Sequence, residues 1–363
     1  MSDNVVNLRQ VTKKFGSLTA VNNADLEIER GELITLLGPS GCGKTTTLRM
    51  IAGFETPTEG VVELNGNDVS DVPPYERDIG MVFQYFALFP HMTVADNIAF
   101  GLKMKGVDQS EIDDRIEEVL EMVSLPEVGD RYPENLSGGQ QQRIALARSL
   151  VVEPDVLLLD EPLSSLDKKL REEMRMEIMR LHRELNVTMV YVTHNQTEAL
   201  AISDRMAVMN DGEIRQVGAP TEVYQEPAGE FVADFIGSAN LVDGTITSNT
   251  DSYEIATELD VDITAGPDTS VHDGNLEDGN SVTILLRPER LSLQSGSGNG
   301  TNTLSGTLRE VTYLGSSAEY FVELADGTEV QVTSPVRGTI DVSPGDEVTV
   351  SFDPDAPILL GDQ

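Results

Sequence analysis

The stretch Gly38-Pro39-Ser40-Gly41-Cys42-Gly43-Lys44-Thr45 fits G-x-x-x-x-G-K-[ST] and stands between an apolar run, Leu33 to Leu37, and a helical stretch, Thr46 to Ala52. Glycines in such a turn let backbone N–H groups and the following helix N-terminus face an anion. Lys44 can then reach terminal phosphates as a compact charge, and the Thr45 hydroxyl can ligate Mg²⁺. Further along, Val156 to Leu159 is wholly apolar and ends in Asp160 and Glu161. This reads as a buried parallel strand delivering two carboxylates to the C-terminal edge of a sheet, the edge at which nucleotides bind. Asp160 suits a hard cation there, held directly or through water, and Glu161 suits an attacking water.

A second anion site is legible at Leu136-Ser137-Gly138-Gly139-Gln140-Gln141-Gln142, which opens a helix running through Arg143 to Leu150. Ser137 is a good N-cap, and the two glycines allow a ligand close to the backbone. These seven residues resemble the signature motif of the ATP-binding cassette (ABC) family and stand in that family's order relative to the phosphate loop and the acidic strand.

The resemblance implies a P-loop NTPase (RecA-like) α/β core holding ATP and Mg²⁺. By it, Gly38 through Thr46 (Gly38, Pro39, Ser40, Gly41, Cys42, Gly43, Lys44, Thr45, Thr46) cradle the phosphates, and Phe15 stacks on adenine. Gln84 matches the residue that touches the metal and the lytic water, so Thr45, Gln84 and Asp160 form the metal set. Ser164-Ser165-Leu166-Asp167 resembles the D-loop that crosses between protomers, and His194 resembles the switch histidine at γ-phosphate. Lys44, Gln84, Glu161 and His194 then carry catalysis, with Glu161 as general base or water-orienting group. Ser137, Gly138, Gly139 and Gln140 serve the ATP of a second copy. The other histidines, His91, His182 and His272, fall at no metal-ligand spacing and read as surface or core.

These residues need elements to position them. From the start to about Ile236, apolar strands alternate with helical patterns, the signature of a parallel α/β sheet. The stretch from about 86 to 150 is mostly helical and by resemblance forms a helical subdomain, in which Phe89-Pro90-His91-Met92-Thr93 lies where the family's transporters contact a membrane subunit. Lys168 to Leu185 is a further helix with Leu170, Met174, Ile178, Leu181 and Leu185 on one face. After Gly237 short alternating runs take over: Ser281 to Leu286, Glu319 to Leu324, Glu329 to Thr333 and Glu347 to Phe352. The expectation is a second domain, 237–363, forming a small antiparallel barrel, with loops at 265–268 and 295–300. Arg287-Pro288-Glu289-Arg290, Val311 to Gly315 and Asp326-Gly327 resemble the OB-type "TOBE" barrel of importers that work with a binding protein, and the loops around Asp251 to Asn280 depart from it.

Composition sets the surroundings. The 363 residues contain 62 acidic and 25 basic side chains, a net charge of -37 spread along the whole chain. Such a surface repels nucleic acid and anionic lipid headgroups and calls for a salty solvent, as in a halophilic archaeon. No apolar run is long enough to span a membrane, and Met1 to Asn4 lacks a basic region followed by an apolar one, so a soluble protein is expected. Cys42 is the single cysteine, fitting a reducing compartment; a thiol reagent there is expected to block nucleotide. Together these readings imply a homodimeric importer ATPase at the cytoplasmic face of the membrane, working with two permease subunits and an extracellular binding protein. The wording of 51–57 and 83–91 is most similar to polyamine importers, with ferric-iron and sugar importers as alternatives. An ABC ATPase of nucleic acid or ribosomes, and an ABC exporter, are the competing classes; the compact cassette without a basic patch disfavours the first and the C-terminal barrel the second.

Overall fold

The computed structural model describes residues 4–361 apart from 251, 260, 268, 273–275, 297, 299 and 337–341. The readings of Met1 to Asp3, and those loop positions expected at 265–268 and 295–300 that coincide with gaps, lie outside the described residues, as does the side chain of His272. The chain divides into two compact units, Met1–Pro220 and Thr221–Gln363.

In the first unit, β1 (Asn4–Phe15), β2 (Leu18–Glu29), β4 (Glu59–Leu64) and β5 (Asn67–Asp68) form a four-stranded antiparallel sheet in the order β2-β1-β4-β5. The central sheet has six strands in the order β10-β9-β3-β8-β7-β6: β3 (Leu33–Leu37), β6 (Ile79–Val82), β7 (Val156–Asp160), β8 (Thr188–Thr193), β9 (Arg205–Asn210) and β10 (Glu213–Gly218). Every residue of β3, β7 and β8 is buried, which is why those segments read as unbroken apolar runs. All neighbours from β9 to β6 pair parallel, and β10 alone runs antiparallel to its partner. The C-terminal ends of β3, β8, β7 and β6 therefore share one edge, with Leu37 beside Thr193, Asp160 beside Val192 and Val82 beside Leu159.

The helical subdomain is built from α2 (Val94–Met104), α3 (Gln109–Met122) and α4 (Gly138–Leu150), after α1 (Lys44–Ala52). Its core joins Ile98, Leu102, Val119, Ile144 and Leu146 to residues of α5 (Lys168–Leu185) and the central sheet. Met174, Ile178 and Leu181 of α5 are buried as expected, whereas Leu185, at the helix end, is 37% exposed. The helix α6 (Gln196–Ile202) follows β8 directly.

The second unit opens with α7 (Pro220–Gln225) and α8 (Glu230–Phe235), so the division falls ahead of the expected boundary at 236/237. The physical reason is Arg287. This fully buried arginine stacks 4.3 Å from the Tyr224 ring centroid and donates to the carbonyls of Ala233 (2.9 Å), Ser238 (3.0 Å) and Tyr224 (3.2 Å). The Tyr224 and Ala233 carbonyls lie in the last turns of the two short helices, where a cation is favoured, and Ser238 follows the second.

The remainder is all β: β11 (Asn240–Asn249), β12 (Tyr253–Thr257), β13 (Asp262–Ala265), β14 (Val271–His272), β15 (Ser281–Leu286), β16 (Ser292–Ser295), β17 (Asn302–Tyr313), β18 (Ser317–Leu324), β19 (Glu329–Pro335), β20 (Glu347–Phe352) and β21 (Ile358–Gly361). Among the described residues these pair as two sheets, β13-β12-β11-β15-β21-β14 and β16-β20-β17-β18-β19, rather than as one antiparallel ring, and β14 runs parallel to β21. The stretch expected as divergent loops, 251–280, supplies β12, β13 and β14. The two sheets share a core that includes Ile255, Ile284, Leu308, Val322 and Val350. Two buried asparagines stitch them together as backbone would: Asn302 exchanges two 2.8 Å hydrogen bonds with Thr264, and Asn240 bonds Gln331 N (2.7 Å), Gln331 O (2.9 Å) and Leu286 O (3.1 Å).

Candidate active site

The phosphate loop leaves β3 and enters α1 at Gly43, which adopts a left-handed φ of 108° and leaves the helix start without a side-chain cap. A Cβ at Gly43 would come within 2.5 Å of Ala20 O, so the β1–β2 hairpin packs directly on the loop and excludes any larger residue. Lys44 is buried and curls back into the loop, its Nζ donating to Gly38 O at 2.7 Å and Pro39 O at 2.8 Å. Ser40 and Gly41 are exposed, and Thr46 is half-buried on the first turn of α1. Phe15, near the tip of the hairpin, is 45% exposed, with Lys13 Nζ over its ring at 4.9 Å from the centroid.

Cys42 departs from expectation. Its side chain is buried, 4% exposed, and its Sγ lies 3.7 Å from Lys44 Nζ in the body of the loop, so a thiol reagent has little access to it in the folded protein.

Thr45 Oγ1 donates to Asp160 Oδ1 at 3.1 Å, bringing together two of the three oxygen donors expected for a cation. Burial pushes the Asp160 carboxyl above the usual aspartate range, against the pull of the Thr45 hydrogen bond and the Arg49 charge. A hydroxyl and a carboxylate beside a phosphate-binding loop fit Mg²⁺, which takes few protein ligands and completes its shell with water and phosphate oxygens. Among the described residues no group of three His, Cys, Asp or Glu side chains could hold a metal.

Glu161 follows Asp160 with a left-handed φ of 45°, rare for a side chain of this kind, and its N–H is tied to Val192 O at 3.1 Å. The turn aims the carboxylate at two other expected residues: His194 Nδ1 lies 3.3 Å from Oε1, and Gln84 donates to Oε2 at 3.2 Å. Gln84 also reaches Ser164 Oγ at 3.3 Å, so the residues that follow β6 and β7 meet at Ser164. A carboxylate held between an amide and an imidazole at a phosphate site can orient and polarise a water.

The signature stretch is built differently. Ser137 and Gln140 form a reciprocal capping box, Gln140 N–H to Ser137 Oγ at 3.4 Å and Ser137 N–H to Gln140 Oε1 at 3.0 Å. Ser137 and Gly138 are exposed, while a Cβ at Gly139 would meet Leu170 at 2.5 Å, so that glycine lets α4 seat on α5. Among the described residues these positions share no hydrogen bond with the chain's own phosphate loop.

Sequence reasoning missed the support beneath His194. Glu198 is buried and accepts from Tyr191 Oη and Thr193 Oγ1, both at 3.0 Å, and Arg171 sits 3.7 Å away while donating to Leu166 O at 2.9 Å. Burial and the Glu198 charge hold the Tyr191 phenol well above its usual range. The sequence signal was faint: a glutamate one turn into a helix whose N-cap is Asn195. His91 lies beside Phe89, with ring centroids 6.2 Å apart, and His182 Nε2 contacts Gly31 O at 2.9 Å; neither joins the site.

Comparison with known proteins agrees with this geometry. Residues 21–164 match the ABC transporter family, and residues 284–360 match the TOBE domain. Over 98% of this chain and 93% of the relative, 48% of residues are identical to the spermidine/putrescine import ATP-binding protein PotA of Thermobifida fusca. The PotA protein of Nitrosospira multiformis is 46% identical over 99% of each chain. The chain belongs to the family of ABC transporter ATPases. Among solved structures, a dimeric ATP-binding cassette in a post-hydrolysis state with ADP and Pi superposes with a TM-score of 0.53 at 35% identity, covering 59% of this chain and 98% of that one. The cbiO1 component of the Clostridium perfringens cbiONQ ABC transporter superposes with a TM-score of 0.57 at 28% identity, covering 61% and 90%. As an ABC ATPase with a C-terminal TOBE domain, the protein binds and hydrolyses ATP. No helix among the described residues is long and apolar enough to cross a membrane.

Proposed function

We propose that this ABC ATPase powers an importer of polyamines such as spermidine and putrescine, acting as a homodimer on two membrane subunits at the cytoplasmic face and served by an extracellular binding protein. The observation that carries the substrate class is near-full-length similarity to relatives named for spermidine and putrescine import, C-terminal domain included. The acidic surface, with a net charge of -37, favours no nucleic-acid role.

In this reading Gly38 to Thr46 cradle the phosphates, Lys44 neutralises the β- and γ-groups, and Phe15 stacks on the base. Thr45 and Asp160, with Gln84 nearby, hold Mg²⁺, which when bound neutralises charge on the transferring phosphoryl group. Glu161 accepts a proton from, or orients, the attacking water. His194 donates to γ-phosphate, and its contact with Glu161 couples the two. Ser137 to Gln140 of one copy close over the ATP of the other. Phosphoryl transfer asks for positioning and charge more than for covalent chemistry, and these residues supply both.

The test is uptake of labelled spermidine, ferric iron and maltose by cells with and without the gene. Selective loss of spermidine uptake is expected. Unchanged spermidine uptake with loss of either other solute would overturn the substrate class.

A further inference from the structure

Just beyond Gln84 the backbone takes a course that L-residues adopt only under constraint. Phe86 N–H donates to Phe83 O at 3.0 Å, Ala87 N–H doubles back to Tyr85 O at 2.5 Å, and Phe86 and Ala87 have φ of 58° and 49°. Two successive non-glycine residues in the left-handed region are costly, and they persist only where their surroundings over-determine them. One side chain grips both carbonyls of this turn. Arg148, in the last turn of α4, donates through Nη1 to Ala87 O at 2.7 Å and through Nη2 to Phe86 O at 3.0 Å, with its guanidinium carbon 5.6 Å from the Phe89 ring centroid. Phe86 and Leu88 anchor the same turn in the helical subdomain's core. A planar fork that bonds two adjacent carbonyls cannot be replaced by a lysine, which has charge but no fixed pair of donors.

We propose that Arg148 is a positioning residue for ATP hydrolysis: it clamps Phe86 and Ala87 in their left-handed turn and thereby fixes the reach of Gln84 toward Glu161 and Ser164. The inference rests on the role given to Gln84 above. It gives α4 two working ends, because the helix begins at the signature residues Ser137 and Gly138 and ends at the arginine that grips the Gln84 loop. A helix that shifts as it meets a second copy's nucleotide then pulls the Gln84 loop with it, and the approach of that second copy is felt at the lytic water.

The experiment compares Arg148→Lys, Gln84→Ala and the double variant Arg148→Lys/Ala87→Gly in steady-state ATPase assays on the full chain, with melting temperatures. Arg148→Lys is expected to lower kcat by about tenfold or more, as for a misplaced catalytic group, with KM for ATP little changed. Glycine adopts positive φ without strain, so Ala87→Gly keeps the turn without the clamp and is expected to restore most of the lost kcat. A wild-type kcat in Arg148→Lys beside a slow Gln84→Ala overturns the clamp alone. So does a loss of kcat that Ala87→Gly leaves in place, including the case in which it restores only the melting temperature. A wild-type kcat in Gln84→Ala instead overturns the role of Gln84, and the inference with it.

Discussion

His194 Nδ1 lies 3.3 Å from Glu161 Oε1 at the ends of two adjacent parallel strands. With Gln84 on the other oxygen, the carboxylate is held from both sides, so an amide in its place keeps the shape and loses the base. Glu161→Gln is expected to reduce phosphate release by at least about a hundredfold while ATP still binds, trapping an ATP-loaded dimer visible by size-exclusion chromatography. Turnover close to wild type would remove Glu161 from the chemistry.

Asp160 gives a prediction of opposite sign for stability and activity. Burial raises its pKa, so the folded chain holds the proton more tightly than the unfolded chain. Stability contributed by this group is therefore full at pH below the ordinary aspartate range and falls as pH rises from the unfolded value through the raised folded one. Asp160→Asn keeps an acceptor for Thr45 and removes the buried charge. The ligand-free variant is expected to melt about 2 °C or more above wild type at pH 7.5, with the gap closing near pH 4, while Mg²⁺-dependent ATPase activity collapses. A lower melting point at pH 7.5 contradicts the burial argument.

Ser137 tests the second anion site without unfolding its helix. Aspartate caps a helix as well as serine does and suits its positive end, so Ser137→Asp retains the fold. It also puts a carboxylate on an exposed position where a phosphate would arrive. ATP binding to the chain's own Lys44 site is expected to stay within about threefold, whereas ATP-dependent dimerisation fails, since like charges at close range repel. Dimerisation as ready as in the wild type would place the signature stretch away from nucleotide.

Salt is expected to stabilise. Beyond the overall charge of -37, α3 presents Glu111, Asp113, Asp114, Glu117, Glu118 and Glu121 on exposed positions, with several acid pairs four residues apart. Dilution below roughly 0.5 M KCl lengthens the range of their repulsion and should lower the melting temperature. Thermal melts across KCl concentrations read this directly, and flat or falling stability with added salt would defeat it.

The chemistry that was legible in the sequence is the chemistry confined to short windows. The phosphate loop needs its glycines and Lys44 within one turn, and Asp160-Glu161 needs only an apolar run before it. Gln84 and His194 were legible only through the ABC resemblance; the structure brings them to Glu161 because parallel strands end at one edge. What stayed hidden depends on pairs far apart in the chain. Arg148 meets Phe86 and Ala87 only because α4 folds back over the loop, and Glu198 gains its meaning from Tyr191 and Thr193 at the end of β8. Cys42 reads as a loop residue open to a thiol reagent until the packing of Gly38 and Lys44 buries it. The strands at 253–265 carry weak alternation because polar Glu254 and Thr264 pair across the sheet, where their hydrogen bond replaces apolar contact.

Arg287 also dictates how this polypeptide can be cut and rejoined. Its guanidinium depends on carbonyls at Tyr224, Ala233 and Ser238, far upstream of the TOBE match that begins at residue 284. A fragment cut to begin at that match would leave a cation in an apolar interior with none of its acceptors, a lesion that generally costs several kcal/mol. An excised β-domain keeps the arginine's partners only where the cut lies near Thr221, so that Arg287 travels with the two helices that receive it.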